Sequence, residues 1–249
     1  MKVTELPGTP SDEVDGVLAT GRGDITTLFV SMATRHPDGA DADYLRWHTL
    51  DHRPEQHRLS AVRASLRLVS TPACRAARAA GHDRYDAIDH VMTYFFSNPG
   101  GLDGFLDLAK ALIGAGRKLP LLPPVERGVY DVQSKSAAPR VKVGADVLPW
   151  WPIKGVYLLL ERGDAPADHL PDVDGVAGIW QAATLAVDAK MASAKVGQSI
   201  TYCFLDDDPV ATAERLRPAL EERWSDDIEP LLAGPFYPVV PYQWDRYVP

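Results

Sequence analysis

The sequence predicts an α+β fold of two ferredoxin-like βαββαβ repeats that face each other as one barrel-like sandwich. Three observations carry this. First, Thr93-Tyr94-Phe95-Phe96 returns 108 residues later as Thr201-Tyr202-Cys203-Phe204, and Pro120-Leu121-Leu122 returns as Pro230-Leu231-Leu232 at an offset of 110. A period of this size marks a duplicated domain, since solenoid modules span about 20–50 residues. Second, short runs alternate apolar and polar residues while longer ones carry a one-sided apolar stripe, the two periods of strand and helix. Third, the element order reads strand, helix, strand, strand, helix, strand, the split βαβ order.

Taken along the chain, residues 1–24 read as an N-terminal lead-in or lid, 25–148 as the first repeat and 149–249 as the second. The first repeat opens with a β-rich run, Thr26 to Met32, and His36-Pro37-Asp38-Gly39 is a turn cluster. Asp41 or Asp43 is placed to cap a helix from Tyr44 to Arg53, which Pro54 kinks or ends. From Ala61 to Ser70, Val62, Ala64, Leu66 and Leu68 alternate with Arg63, Ser65 and Arg67, which predicts a half-buried strand. Ala73 to Arg84 is an Ala/Arg-rich excursion, and Asp86 to Phe96 is the next strand. Leu102, Phe105, Leu106, Ala109 and Leu112 form the stripe of an amphipathic helix, with Gly116 placed to cap it. Gly128 to Val143 supplies the closing strand.

The second repeat has strands at Ile153–Leu160, Gly178–Val187 and Gln198–Leu205, then a helix capped by Asp208 with Pro209 at its first position. Its last strand is expected at Phe236–Trp244, with prolines suiting an edge. The repeat offset shrinks along the chain, so the second copy has a shortened first helix, replaced by the Pro/Gly-rich stretch from Asp164 to Gly178. Each open sheet face needs an apolar partner, and the other copy supplies it. Trp150-Trp151, in the connector, is expected to clamp the copies together.

Composition narrows the classes. The 249 residues are 45% hydrophobic and 24% charged, with a net charge of −8. That balance argues against nucleic-acid binding, which needs a basic face, and disfavours anionic membrane surfaces. No run reaches the ~18 apolar residues of a membrane helix, and no apolar leader follows Met1. Cys74 and Cys203 read as reduced thiols, and the expected compartment is the cytoplasm. There is no Gly-x-Gly-x-x-Gly, phosphate loop, nucleophile elbow or zinc ribbon, so no cofactor and no metal are expected.

One segment carries chemistry: Tyr44-Leu45-Arg46-Trp47-His48-Thr49-Leu50-Asp51-His52-Arg53-Pro54-Glu55. It resembles the first-helix signature of dimeric α/β-barrel proteins, especially the EthD-like group, in which Trp47, Asp51, His52 and Pro54 fall at pattern positions. The resemblance implies an intramolecular dimeric α/β barrel, with both halves fused in one chain. The superfamily includes monooxygenases, isomerases and peroxidases, so the chemistry stays open.

His48 and His52 lie four apart and share a helix face with Tyr44, Asp51 and Glu55. The resemblance suggests His52 as acid/base, with Asp51 orienting it and His48 beside it. Histidine suits proton transfer near neutrality. The plainer alternative is a solvated helix face with His52 at the helix end, where the dipole contributes up to about 1 kcal/mol. His-x3-His with Asp51 or His57 could instead chelate a metal, and superfamily members ligate haem through a helical His. Tyr44, Trp47, Tyr94 and Trp180 are the candidate ligand-binding residues. Strand aromatics in a barrel of this size either fill it or leave one cavity.

The expected function is binding of a small apolar organic molecule in the first repeat, with cofactor-independent acid/base or oxygenase-type chemistry. Were it an enzyme, its activity would be monooxygenase, isomerase or lyase-like. The alternatives are a non-catalytic binding or interaction protein with a self-filled barrel, and a haem- or metal-binding member. A homo-oligomer is left open. Because the second repeat offers only Asp168, His169, Asp172 and Asp174 where the first helix would be, one site per chain is expected.

Overall fold

The computed structural model describes residues 24–117, 120–163, 166–188, 191–224 and 227–247. The expected lead-in, apart from Asp24, lies outside them. The first half runs β1 (Thr27–Ala33), α1 (Asp41–Trp47), α2 (Arg53–Gln56), β2 (Val62–Val69), α3 (Pro72–Ala76), β3 (Ala80–Gly81), β4 (His90–Phe96), α4 (Gly101–Gly114) and β5 (Pro124–Ala137). The second half runs β6 (Gly155–Arg162), β7 (Val176–Thr184), β8 (Gln198–Leu205), α5 (Pro209–Arg223) and β9 (Glu229–Pro238).

The strands form one sheet in the order β2-β4-β1-β5-β7-β8-β6-β9-β3, and pairing of β2 with β9 closes all but β3 into an eight-stranded barrel. Each half keeps the ferredoxin-like order, with β1 between β4 and β5 in the first and β6 between β8 and β9 in the second. The seams are unequal. β5 pairs with β7 from Tyr130↔Thr184 to Ala137↔Gly178, whereas β2 meets β9 only at Leu68↔Pro238 and Val69↔Tyr237.

The barrel interior is one apolar cluster drawn from both halves, including Leu28, Phe95, Tyr130, Trp180, Tyr202 and Phe204, all buried. An eight-stranded barrel is just wide enough for side chains to fill. Trp180 belongs to this packing. Its Nε1 donates to the Ala145 carbonyl at 2.7 Å, and Phe95 lies edge-on at 5.7 Å. The helices cover the outer faces. On the first half, Phe105 of α4 sits edge-on to Phe29, Tyr94 and Phe96. On the second, Ala213, Leu216 and Leu220 of α5 pack with Tyr157, Leu159 and Cys203.

Both expected caps form. Arg117 N–H donates to Leu112 O and Gly116 N–H to Ile113 O, a Schellman ending made by Gly116 at φ +79°. Asp208 Oδ1 accepts from the N–H groups of Val210 and Ala211. Between β6 and β7 the regular structure is one 3-10 turn, Leu170–Asp172, among the described residues.

Several expectations shift. The last strand begins seven residues early, at Glu229, so Pro230-Leu231-Leu232 lies inside β9 while Pro120-Leu121-Leu122 precedes β5. β9 is no free edge either, because β6 pairs along one side and β3 and β2 along the other. The Thr-Tyr echo is out of phase by one residue. Thr93 and Tyr202 face the interior together, whereas Tyr94 faces the helices. A one-residue slip exchanges the two faces of a strand, so Tyr94 and Tyr202 do different work. Trp151 packs onto the core, but its neighbour Trp150 is 46% exposed.

Candidate functional site

The first helix does not stop at Pro54. Its α-helical start, Asp41–Trp47, passes into a π-helical turn over His48–His52 and returns to α-helix at Arg53–Gln56. Proline lacks the N–H that would bond Leu50 and its ring crowds that carbonyl; a wider turn just upstream relieves both. Such turns recur at functional sites. Asp41 is not the cap. Ala40 holds that position with no side-chain bond, and Asp41 is buried, accepting from His36 N–H at 3.2 Å and from His90 Nε2 at 2.6 Å.

Beneath this helix lies the outer face of the first sheet. The strand register sets Arg67 (β2) beside Met92 (β4), Met92 beside Ser31 (β1), and Ser31 beside Arg127 (β5). The next row on that face holds Ser65, Tyr94, Phe29 and Val129. Between sheet, π-helical turn and α4 is a cavity of about 250 Å³, lined by Tyr44, Trp47, His48, His52, Arg67 and Tyr94 together with apolar groups from α4 and the Pro120–Leu121 segment.

Five of the expected residues therefore meet: Tyr44, Trp47, His48, His52 and Tyr94. Asp51 turns outward, 46% exposed, and pairs with Arg117, which also holds Glu55 at 3.2 Å. Trp180 is in the barrel interior, away from the cavity. The aromatic rings order the wall. Trp47 stacks on His52 at 5.1 Å with planes 19° apart, and Tyr44 stacks on His48 at 5.9 Å.

The two imidazoles differ electrostatically. Burial, reinforced by the Arg67 guanidinium, holds His48 well below the usual imidazole range, so it is neutral at physiological pH. Burial also lowers His52, but the nearby Asp51 charge partly restores it. The Tyr94 hydroxyl lies 3.5 Å from His48 Nε2, and burial raises its pKa, which keeps it protonated. Gln56 Nε2 lies 3.4 Å from His52 Nε2.

Sequence reasoning missed Arg67, His90 and Asp41, which form a buried chain behind the cavity. Arg67 Nη2 lies 3.1 Å from His90 Nδ1, and His90 Nε2 lies 2.6 Å from Asp41 Oδ1. Period-two alternation assigned Arg67 to a solvent face, since alternation cannot show that a helix covers that face. Asp41 was read only as a candidate helix cap, and no sequence signal joined it to Arg67 and His90.

The residues present do not fit haem. The cavity lies below the ~300–1,000 Å³ typical of ligand pockets, and the macrocycle is larger than it. Both Nδ1 atoms are sealed, and the Nε2 atoms face Tyr94 and Gln56. Among the described residues no three His, Cys, Asp or Glu side chains converge as metal ligands.

No family model matches the chain, and no curated protein matches it. Solved structures do. Chlorite dismutase from Candidatus Nitrospira defluvii, in complex with imidazole, aligns with a TM-score of 0.50 at 10% identity, covering 95% of this chain and 98% of that one. A second protein assigned as a chlorite dismutase aligns with a TM-score of 0.51 at 12% identity, covering 90% and 100%. An anthrone oxidase-like protein aligns with a TM-score of 0.47 at 12% identity, covering 89% and 94%. At such identities the likeness is of fold. The chain has the dimeric α/β-barrel fold, with both halves supplied by one polypeptide. Among the described residues, no helix is long and apolar enough to cross a membrane.

Proposed function

We propose that the protein binds a small, largely apolar organic molecule in the cavity between the π-helical turn and the first sheet, and moves a proton on it. The observation that carries this is the pairing of two neutral imidazoles, differently tuned, in one aromatic-walled cavity. Environments that push two titratable groups apart assign their roles. His52, nearer to its ordinary range, takes the role of acid/base. His48 stays neutral and positions the Tyr94 hydroxyl, which donates to a ligand oxygen. Their 3.5 Å separation is loose, as such bonds often are without a ligand. Asp51 acts on His52 through its charge alone, since its carboxylate is engaged by Arg117.

The packed interior bears on the competing reading, a self-filled barrel. It is met in the barrel itself, but the cavity lies outside the barrel, on the helix side of the first sheet. Native mass spectrometry of the full chain, purified after incubation with a cell metabolite extract, tests the proposal. We expect one small organic molecule retained by the wild type and lost on Trp47→Ala. Retention of nothing, or retention unaffected by that substitution, would overturn it.

A further inference from the structure

We infer that the ligand of this cavity is an organic acid, a flat apolar body whose carboxylate is received by Arg67. This rests on the reading of the cavity as a small-molecule site and names what it selects.

Arg67 is unusual for a charged residue. It is 4% exposed, yet no Asp or Glu is among the cavity-lining residues. Among the described residues its one hydrogen-bond partner is the ring of His90, through Nη2. A guanidinium always donates, so His90 Nδ1 accepts and the ring proton sits on Nε2, donated to Asp41. Asp41 thus meets Arg67 only through a neutral imidazole, and it also lies 3.9 Å from Arg35. The Tyr44 ring, 4.9 Å from Arg67 Cζ, covers one face of the guanidinium. Arg67 Nε is sealed without a partner, whereas Nη1 has no hydrogen bond and is not sealed. Nη1, with the second N–H of Nη2, is left to donate to a ligand of the cavity that Arg67 lines.

A buried guanidinium without a carboxylate is costly, and an arriving anion offsets that cost. Arginine's planar fork suits a carboxylate, and the His90–Asp41 chain fixes its orientation in advance. Arg127, half-buried at the far end of the Arg67–Met92–Ser31–Arg127 row, adds a second positive charge. Three strand spacings separate the two arginines, roughly 14 Å between Cα atoms. Met92 and Ser31 lie between them, so the floor is neutral in the middle and cationic at its ends. Phe29 and Phe105 supply the apolar wall for a ring system.

The test is calorimetric titration of the full chain with three bicyclic probes: 2-naphthoate, 2-naphthamide and 2-naphthylmethylammonium. A charge-assisted bond predicts that the acid binds about ten-fold or more tightly than the amide, with the ammonium weakest. Raising the salt concentration should weaken the acid but not the amide. In Arg67→Gln the acid should lose its advantage and fall to the affinity of the amide, with a far smaller loss for the amide. The three-probe comparison on the wild type needs no variant and stands if Arg67→Gln fails to fold. Equal binding of acid and amide by the wild type would overturn the inference and leave the cavity reading intact. Binding of none of the three would overturn both.

Discussion

The hydroxyls of Thr93 and Tyr202 lie 2.5 Å apart at the centre of the barrel, one from each half, and both residues are fully buried. Polar groups in such a place are costly unless paired, and here each satisfies the other. Burial keeps the Tyr202 phenol protonated well beyond its ordinary range. The pair therefore links the two halves of the barrel by a bond that neither half could form alone.

Tyr202→Phe should leave the Thr93 hydroxyl buried and unpaired, at a cost of about 1–3 kcal/mol. The double variant Thr93→Val/Tyr202→Phe should recover most of that loss, since removing both partners leaves nothing unsatisfied. Urea denaturation of the two single variants and the double variant measures the coupling. Additive losses would show that the hydroxyls act independently and would sink this account.

Acid should weaken the fold through His90. Burial pushes its pKa down to about 4, against the partial opposition of the Asp41 carboxylate; Arg67 and Arg35 lower it further. The folded value is below the unfolded one, near 6.5, so between the two the unfolded chain takes up a proton that the native state refuses. The stabilising contribution is whole above pH 6.5 and is lost as pH falls towards 4, at up to about 1.4 kcal/mol per unit. His48, held low by burial, acts in the same direction. Asp41 is also held below its ordinary value, so its contribution fades below about pH 3.8. Urea midpoints at pH 7.5, 6.0, 5.0 and 4.5 should fall steadily. A level profile down to pH 5 would contradict the buried, neutral assignment.

Much of the fold was legible because the period of two and the stripe of α4 report local burial directly. The order of strands and helices in the two halves was read correctly, but the echo was not read in phase. The echo matches Tyr94 to Tyr202, whereas the barrel puts Thr93 and Tyr202 in its interior and Tyr94 against α4. Identity of letters does not fix which way a strand faces. The cavity wall was half legible. His48 and His52 are neighbours on one helix, so their spacing placed them together. Arg67, His90 and Asp41 come from three separate elements, and only strand pairing brings them together. The sequence left open whether Pro54 kinks or ends the helix, and the π-helical turn that carries it on has no signature in the residue pattern.

The C-terminal turn should be needed for the site. Trp244 and Tyr247 pack against Leu45 of α1 and Val69 of β2. Arg35 Nη1 donates to the Tyr247 carbonyl at 2.6 Å, and the Tyr247 hydroxyl donates to Pro238 O at 2.8 Å. Ending the chain after Gln243 removes two large side chains from that packing, a loss of about 3–5 kcal/mol by analogy with core truncations. Hydrogen exchange over residues 41–52 should speed up well before the barrel strands respond. Unchanged protection there would mean that the first helix is held by the sheet alone.

One working site per chain is the expectation from how the two halves treat their first crossover. In the first half a helix fixes His52 against Trp47 at a 5.1 Å ring separation, within the cavity wall. In the second half the same stretch, among the described residues, holds one 3-10 turn before β7, and His169 just before it is exposed and outside the cavity. A helix positions side chains more closely than a loop does. His52→Ala should therefore abolish turnover of any substrate that the cavity accepts, whereas His169→Ala should leave both binding and turnover within a few-fold. Binding of 2-naphthoate and proton exchange into a bound carbon acid, followed by NMR in deuterated water, separate the two effects. His52→Ala should stop the exchange and reduce binding far less than Arg67→Gln does, because the acid is held at Arg67. Equal losses from the two histidine substitutions would mean that the second half works as a site in its own right. Exchange that survives in His52→Ala but stops in His48→Gln would move the acid/base role to His48.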